Sequence, residues 1–170
     1  VVNFIETFLT LGGSFLGQPF IPLQWMKDVI WDIYKTDENG KRLHRTYLLG
    51  VPRKNAKSTV GAALAVYHLI VDTSDSSPEV ISAAGDKKQA RLVFDEAKRM
   101  ILSSPELSAV CQVFRDEIRC TLNGGKYRVV SADAGLAHGL NPSVVIVDEY
   151  HVHKNDELFT ALTTGSATRK

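Results

Sequence analysis

VPRKNAKST, residues 51–59, stands between an apolar run, TYLLGV (46–51), and a long apolar stretch that opens at Lys57. A loop that holds a polyphosphate needs three parts: a strand, a tight turn of exposed backbone N–H groups, and a Lys-Ser/Thr pair opening a helix. TYLLGV reads as a buried strand. Lys57 to Val71 reads as a helix that is apolar nearly all round, with Ala62, Ala63, Leu64, Ala65, Val66, Leu69 and Ile70, so it should be covered on most sides. Lys57 is placed to reach β and γ phosphate oxygens, and the Ser58 hydroxyl to ligate Mg²⁺. The strict pattern G-x-x-x-x-G-K-[ST] fails at both glycine positions, where Val51 and Ala56 stand. By itself the segment reads equally well as a basic loop before a buried helix.

The second decisive stretch is VVIVDEYH, residues 144–151. Four apolar residues followed by two carboxylates suit a buried strand that delivers acids at its C-terminal end. In phosphoryl transfer Asp148 would hold Mg²⁺ through water, and Glu149 would polarise the attacking water. Taken alone, a strand end with solvated acids is the simpler reading. In open α/β sheets, however, ligands sit at the carboxyl ends of strands, so the two segments would face one crevice. Their order along the chain supports nucleotide binding more strongly than either does alone.

The intervening sequence fits that order. PLQWMKDVIWDIY (22–34) reads as a helix, with Pro22 at its start and Trp25, Val29, Ile30 and Ile33 on one face. Asn39-Gly40 signals a turn. EVISAA (79–84) reads as a second strand. Asp86 to Leu102 reads as an amphipathic helix whose inner stripe is Ala90, Val93, Phe94, Ala97, Met100 and Ile101. Asn123-Gly124-Gly125 between 116–121 and 126–131 signals a hairpin, read as an insertion or an antiparallel edge. Asp156 to Thr163 is a further helix candidate. Strands alternating with helices give an α/β fold with a mainly parallel sheet.

At 170 residues, 44% hydrophobic and 23% charged, the chain has the length of one domain and enough apolar residues for a core, which excludes a disordered or collagen-like chain. No run is long and apolar enough to suggest a membrane span, and the stretch Phe4 to Leu16, interrupted by Glu6, lacks the basic start of a signal peptide. No repeat or low-complexity segment is visible. A net charge of +1 neither demands nor forbids a nucleic-acid partner. Cys111 and Cys120 match no metal-ligand spacing and read as two reduced thiols.

The string VPRKNAKS, with DEYH some way downstream, resembles the ATPase domain of the large terminase subunit of tailed bacteriophages, in the branch whose loop reads V-x-R-K-N-G-K-S. SAAGDKKQARLVFDEAKRMI and ADAGLAHGLNPSVVIVDEYHVHKNDELFTAL resemble further segments of that family, so the likeness runs over roughly residues 18–165. It implies a P-loop NTPase of the ASCE type, a three-layer sandwich with a hairpin around 116–131. Residues 1–44 would form an adenine-side segment of one ATPase domain and 45–170 its core, with the family's coupling motif and nuclease domain expected beyond Lys170.

The resemblance also implies a motor that uses ATP and Mg²⁺. Such a motor works in the host cytoplasm as a homo-oligomeric ring on the prohead, with double-stranded DNA, the portal protein and the small terminase subunit as partners and no membrane. Carried over residue by residue, Lys57 and Ser58 match the phosphate and Mg²⁺ ligands, with Thr59 beside them, and Asp148 and Glu149 match the acidic pair. Arg53 matches the basic residue of the loop that offsets γ-phosphate charge, and Lys54 is its neighbour. Asn55 and Ala56 complete the cradle. Gln24 matches an adenine-reading glutamine, with Phe20 or Trp25 packing on the base. Ala56 departs from the family glycine, and the departure matters if the backbone there is left-handed. Arg91, Arg99, Arg115, Arg119 and Arg128 are candidates for a finger reaching into a neighbouring subunit. His151 is a candidate γ-phosphate sensor beside His153. A helicase-like ATPase and a non-catalytic nucleotide-binding module are the rival readings.

Overall fold

In the computed structural model, the residues described are all but 74, 85–86, 132–139, 151–155 and 166–170. The sheet is built from β1 (Glu79–Ala84), β2 (Cys111–Val113), β3 (Glu117–Cys120), β4 (Lys126–Ser131) and β5 (Val144–Val147), in the order β2-β3-β4-β1-β5. β4, β1 and β5 run parallel, while β2-β3-β4 is an antiparallel meander. The hairpin expected around 116–131 is therefore not a separate insertion. Its second strand, β4, is a central strand paired along its whole length with β1, from Glu79↔Lys126 to Ala84↔Ser131.

The period-2 pattern of β1 explains the layers. Val80 faces the main core with Tyr127, Val144 and Ile146, whereas Ile81 and Ala83 face a second cluster with Val130, Val145 and Val147. On the first face lie α3 (Lys57–Ile70) and α4 (Lys87–Leu102); on the second, Leu158 and Leu162 of α6 (Glu157–Gly165) close the opposite side. This is the expected three-layer α/β sandwich. The predicted inner stripe of α4 is buried at all of Ala90, Val93, Phe94, Ala97, Met100 and Ile101. Gly61 lets α3 approach closely: a Cβ there would sit 3.3 Å from Ile146 and 3.6 Å from Val93. The buried Ser82 hydroxyl hydrogen-bonds the Tyr127 hydroxyl, which satisfies both polar groups inside the main core.

The N-terminal segment joins the same core. α1 (Val2–Phe8) inserts Ile5, and α2 (Gln24–Ile33) inserts Met26 and Ile30. Arg99 fastens this segment to α4, donating to the Thr10 carbonyl at 2.6 Å and the Leu11 carbonyl at 3.0 Å while paired with Glu96. Gly12 lies under it: a Cβ at that position would come within 2.5 Å of the Arg99 Nε. The hairpin turn, with Gly124 at φ +71°, fastens the other end of α3, since Asn123 Nδ2 donates to the Leu69 carbonyl at 3.0 Å. Among the described residues no helix is long and apolar enough to cross a membrane.

One expected strand is not formed. Residues 46–51 carry no strand pairing, and Leu48 is 90% exposed. An apolar run becomes a strand only where a neighbour satisfies its N–H and C=O groups. Among the described residues β5 pairs with β1 alone, and no ladder reaches residues 46–51. Two short elements were not anticipated: α5 (Pro105–Val110), capped by the Ser104 hydroxyl accepting from the Leu107 N–H, and β2, which continues directly from it.

Candidate nucleotide site

The site assembles where α3 begins and β5 ends. β5 continues its pairing one residue beyond the strand, as the Asp148 N–H donates to the Ala83 carbonyl at 3.2 Å. That fixes Asp148 at the C-terminal edge of the sheet. α3 runs across the same face, so its first turn meets that edge. Ser58 Oγ donates to Asp148 Oδ2 at 2.7 Å, and Lys57 Nζ lies 3.5 Å from Asp148 Oδ1 and is hydrogen-bonded to Glu149. Residues more than 90 positions apart for Lys57 and Glu149, and 90 for Ser58 and Asp148, are thus in direct contact, as the two sequence segments required. The hydrogen bond to Glu149 holds the Lys57 ammonium above its ordinary pKa, against partial desolvation, so the lysine is cationic.

Backbone strain gathers on both sides of the site. Lys54 (φ 68°), Ala56 (φ 52°) and Glu149 (φ 51°) adopt left-handed backbone without being glycine. Each costs roughly 1–2 kcal/mol. Ala56 is the N-cap of α3 and caps nothing with its side chain; the first intrahelical bond runs from the Val60 N–H to the Ala56 carbonyl. The N–H groups of Lys57, Ser58 and Thr59 therefore stand ahead of the helical ladder, at its positive end. The question left by the sequence is answered: position 56 needs positive φ, and alanine occupies it under strain. Asn55 braces the turn by donating to the Pro52 carbonyl at 3.1 Å, a structural part the sequence did not disclose.

The donor set suits Mg²⁺ carried by a polyphosphate. Among the described residues no group of three His, Cys, Asp or Glu side chains could hold a metal alone. Mg²⁺ needs no such cage, because it commonly takes one or two carboxylates and completes its shell with phosphate oxygens and water. Asp148 and the Ser58 hydroxyl, side by side, supply hard oxygen ligands of that kind.

The other expected residues are spread over the surface and the core. Arg53, Lys54 and Asn55 lie exposed on the loop, and Thr59 is half-buried in the first turn of α3. Gln24 stands exposed at the start of α2, where its amide donates to Asp28 at 2.8 Å; the structure does not join it to the loop. Phe20 is inside the core at 3% exposure, which removes it as a surface for a base, and Trp25 packs partly against the same core. The arginines also separate. Arg91 pairs with Asp116, Arg119 and Arg128 pair with Glu117, and Arg99 is the fastener of the N-terminal segment. Arg115 lies exposed in the turn between β2 and β3. His151 and His153 fall outside the described residues.

Residues 24–170 match the family described as "Terminase large subunit, ATPase domain". The chain is similar to the terminase large subunit of Enterobacteria phage HK97, at 26% identity over 178 residues, covering 100% of this chain and 34% of that protein. It superposes on the crystal structure of the HK97 bacteriophage large terminase with a TM-score of 0.87 and 25% identity, covering 99% of this chain and 35% of that one. The chain thus spans about a third of the length of these relatives. With the lysine loop, the acidic strand end and the three-layer sheet in place, the matches settle the family: this chain belongs to the ATPase domains of terminase large subunits.

Proposed function

We propose that this chain is the ATP-hydrolysing motor domain of a phage DNA-packaging terminase, using Mg·ATP to drive double-stranded DNA into a prohead. The observation that carries the reading is the contact of Lys57 and Ser58 with Asp148 and Glu149. Family membership adds to it.

In this reading Lys57 leaves Glu149 to bind phosphate oxygens, together with the first N–H groups of α3. Ser58 and Asp148 would hold Mg²⁺, which offsets phosphate charge when bound. Once released from Lys57, Glu149 accepts the proton of the attacking water. Arg53, exposed on the loop, faces the charge that gathers on the γ-phosphate. Gln24 reads adenine only after exchanging its bond to Asp28 for one to the base. The ring on the prohead, the portal protein, the small terminase subunit and the host-cytoplasm setting belong to the same proposal.

Glu149→Gln tests it. The amide keeps the size of the side chain and cannot take a proton, so Mg·ATP binding should persist while steady-state phosphate release falls at least ~100-fold. Turnover at the unchanged rate would remove Glu149 from this role.

A further inference from the structure

Cys111 and Cys120, read from sequence as two reduced thiols, are direct cross-strand partners. β2 and β3 pair antiparallel with Cys111 opposite Cys120. The ladder fixes which kind of pair this is. The Thr121 N–H donates to the Val110 carbonyl at 2.9 Å and the Phe114 N–H to the Glu117 carbonyl at 2.8 Å. Hydrogen-bonded pairs alternate along an antiparallel ladder, so 110/121, 112/119 and 114/117 are the bonded pairs and 111/120 is not. At a non-hydrogen-bonded position the Cα atoms approach to about 4.5 Å, inside the span a disulfide bridges. Both side chains lie on the core side: Cys120 is buried and Cys111 half-buried against the main cluster.

We infer that Cys111 and Cys120 form a modification site, a dithiol that a low-molecular-weight disulfide converts into an intramolecular bridge clasping β2 to β3. The half-buried Cys111 is reached first. Its thiolate attacks one sulfur of the small disulfide and expels one small thiol, leaving a mixed disulfide on Cys111. Cys120, already opposite, loses its proton, attacks the Cys111 sulfur and expels the second small thiol. The balance is two protein thiols and one small disulfide giving one protein disulfide and two small thiols, with no other oxidant. Burial pushes the Cys111 thiol up to about 12, so little thiolate exists while the strand is closed. Reaction therefore waits on opening of β2, a three-residue edge strand of the kind that frays first. In a reducing compartment the pair rests as a dithiol, and a rise in small disulfide closes it. This inference does not rest on the nucleotide reading.

The test is to equilibrate the chain with oxidised glutathione, block remaining thiols with an alkylating reagent and weigh the protein. The expected result is loss of both thiols within the monomer, a mass lower by about two units, and linked peptides containing residues 111 and 120, all reversed by a dithiol reductant. Amide exchange across β2 should slow in the oxidised chain. Cys120→Ser, which lacks the resolving thiol, should instead accumulate a glutathione adduct on Cys111. A lasting adduct on the unchanged chain, a covalent dimer, unchanged exchange after bridging, or two thiols still free at equilibrium would each overturn the assignment.

Discussion

The two ends of α3 each hold a cluster of charged and polar side chains around an aspartate, and they solve opposite problems. At the C-terminal end His68 is 5% exposed, its Nδ1–H donating to Asp72 at 2.6 Å and its Nε2 accepting from the Tyr34 hydroxyl at 2.7 Å. Arg42 completes the set, 2.7 Å from Asp72 and 4.8 Å above the Tyr34 ring. Burial holds His68 below its ordinary pKa despite the Asp72 carboxylate, so the ring is neutral, with one donor and one acceptor both used. At the N-terminal end the cluster of Lys57, Ser58, Asp148 and Glu149 is partly open to solvent and flanked by left-handed residues. The first cluster spends its hydrogen-bonding capacity on itself. The second keeps unladdered N–H groups and a displaceable ion pair. A polar cluster thus signals ligand binding when it combines exposure, strain and partners that a ligand can replace.

Mutations at the two ends of α3 should behave differently. The largest effect is expected at the buried end. Asp72→Ala strands Arg42 and the His68 Nδ1–H, and should lower unfolding free energy by about 3 kcal/mol in a denaturant titration. Mg·ATP affinity of the folded fraction should stay as it was. Lys57→Ala should do the reverse: calorimetric Mg·ATP affinity falls roughly 30-fold or more, about 2 kcal/mol, while the unfolding midpoint hardly moves. A large loss of stability from that variant would make the N-terminal cluster structural.

Ala56→Gly sharpens the contrast, because it relieves left-handed strain at the exposed end alone. It should raise stability by up to about 1 kcal/mol and leave binding intact. A destabilised glycine variant would mean that the alanine is not strained. The smallest effect is a slope with pH. The folded pKa of His68 is depressed, so its contribution is present above the unfolded value near 6.5 and is lost as pH falls through the folded value. Melting temperature should therefore decline on acidification below about pH 6.5, and more so than in His68→Gln. Equal slopes in the two proteins would show that the ring is not held neutral.

What the sequence disclosed follows the same division. β1 and β5 were legible to the residue because their runs are short and mostly apolar, although β1 is buried from Val80 to Ala84 and β5 only half-buried. α4 was legible from helical periodicity, and α3 from a long stretch that is apolar nearly all round. That Lys57 and Ser58 would meet Asp148 and Glu149 was legible because a phosphate-loop reading needs both segments at one sheet edge. Residues 46–51 misled because an apolar run states a preference for burial and says nothing of a pairing partner. The strain at Ala56 stayed hidden because φ is set by the loop around it. Arg99 resembled a reaching cation in the sequence and proved to be committed to carbonyls of residues 10 and 11, a role only the packing of the N-terminal segment discloses.

That commitment carries a consequence for how the chain can change over generations. Arg99 is held by its carbonyl and Glu96 partners, so swinging aside for a side chain at position 12, where a Cβ would meet it at 2.5 Å, would cost those bonds. Substitution at Gly12 is therefore open mainly to lineages in which Arg99 has already shortened, and losing Arg99 first releases the N-terminal segment from α4. The two positions are coupled in order as well as in space, and a double-mutant cycle between them should depart from additivity.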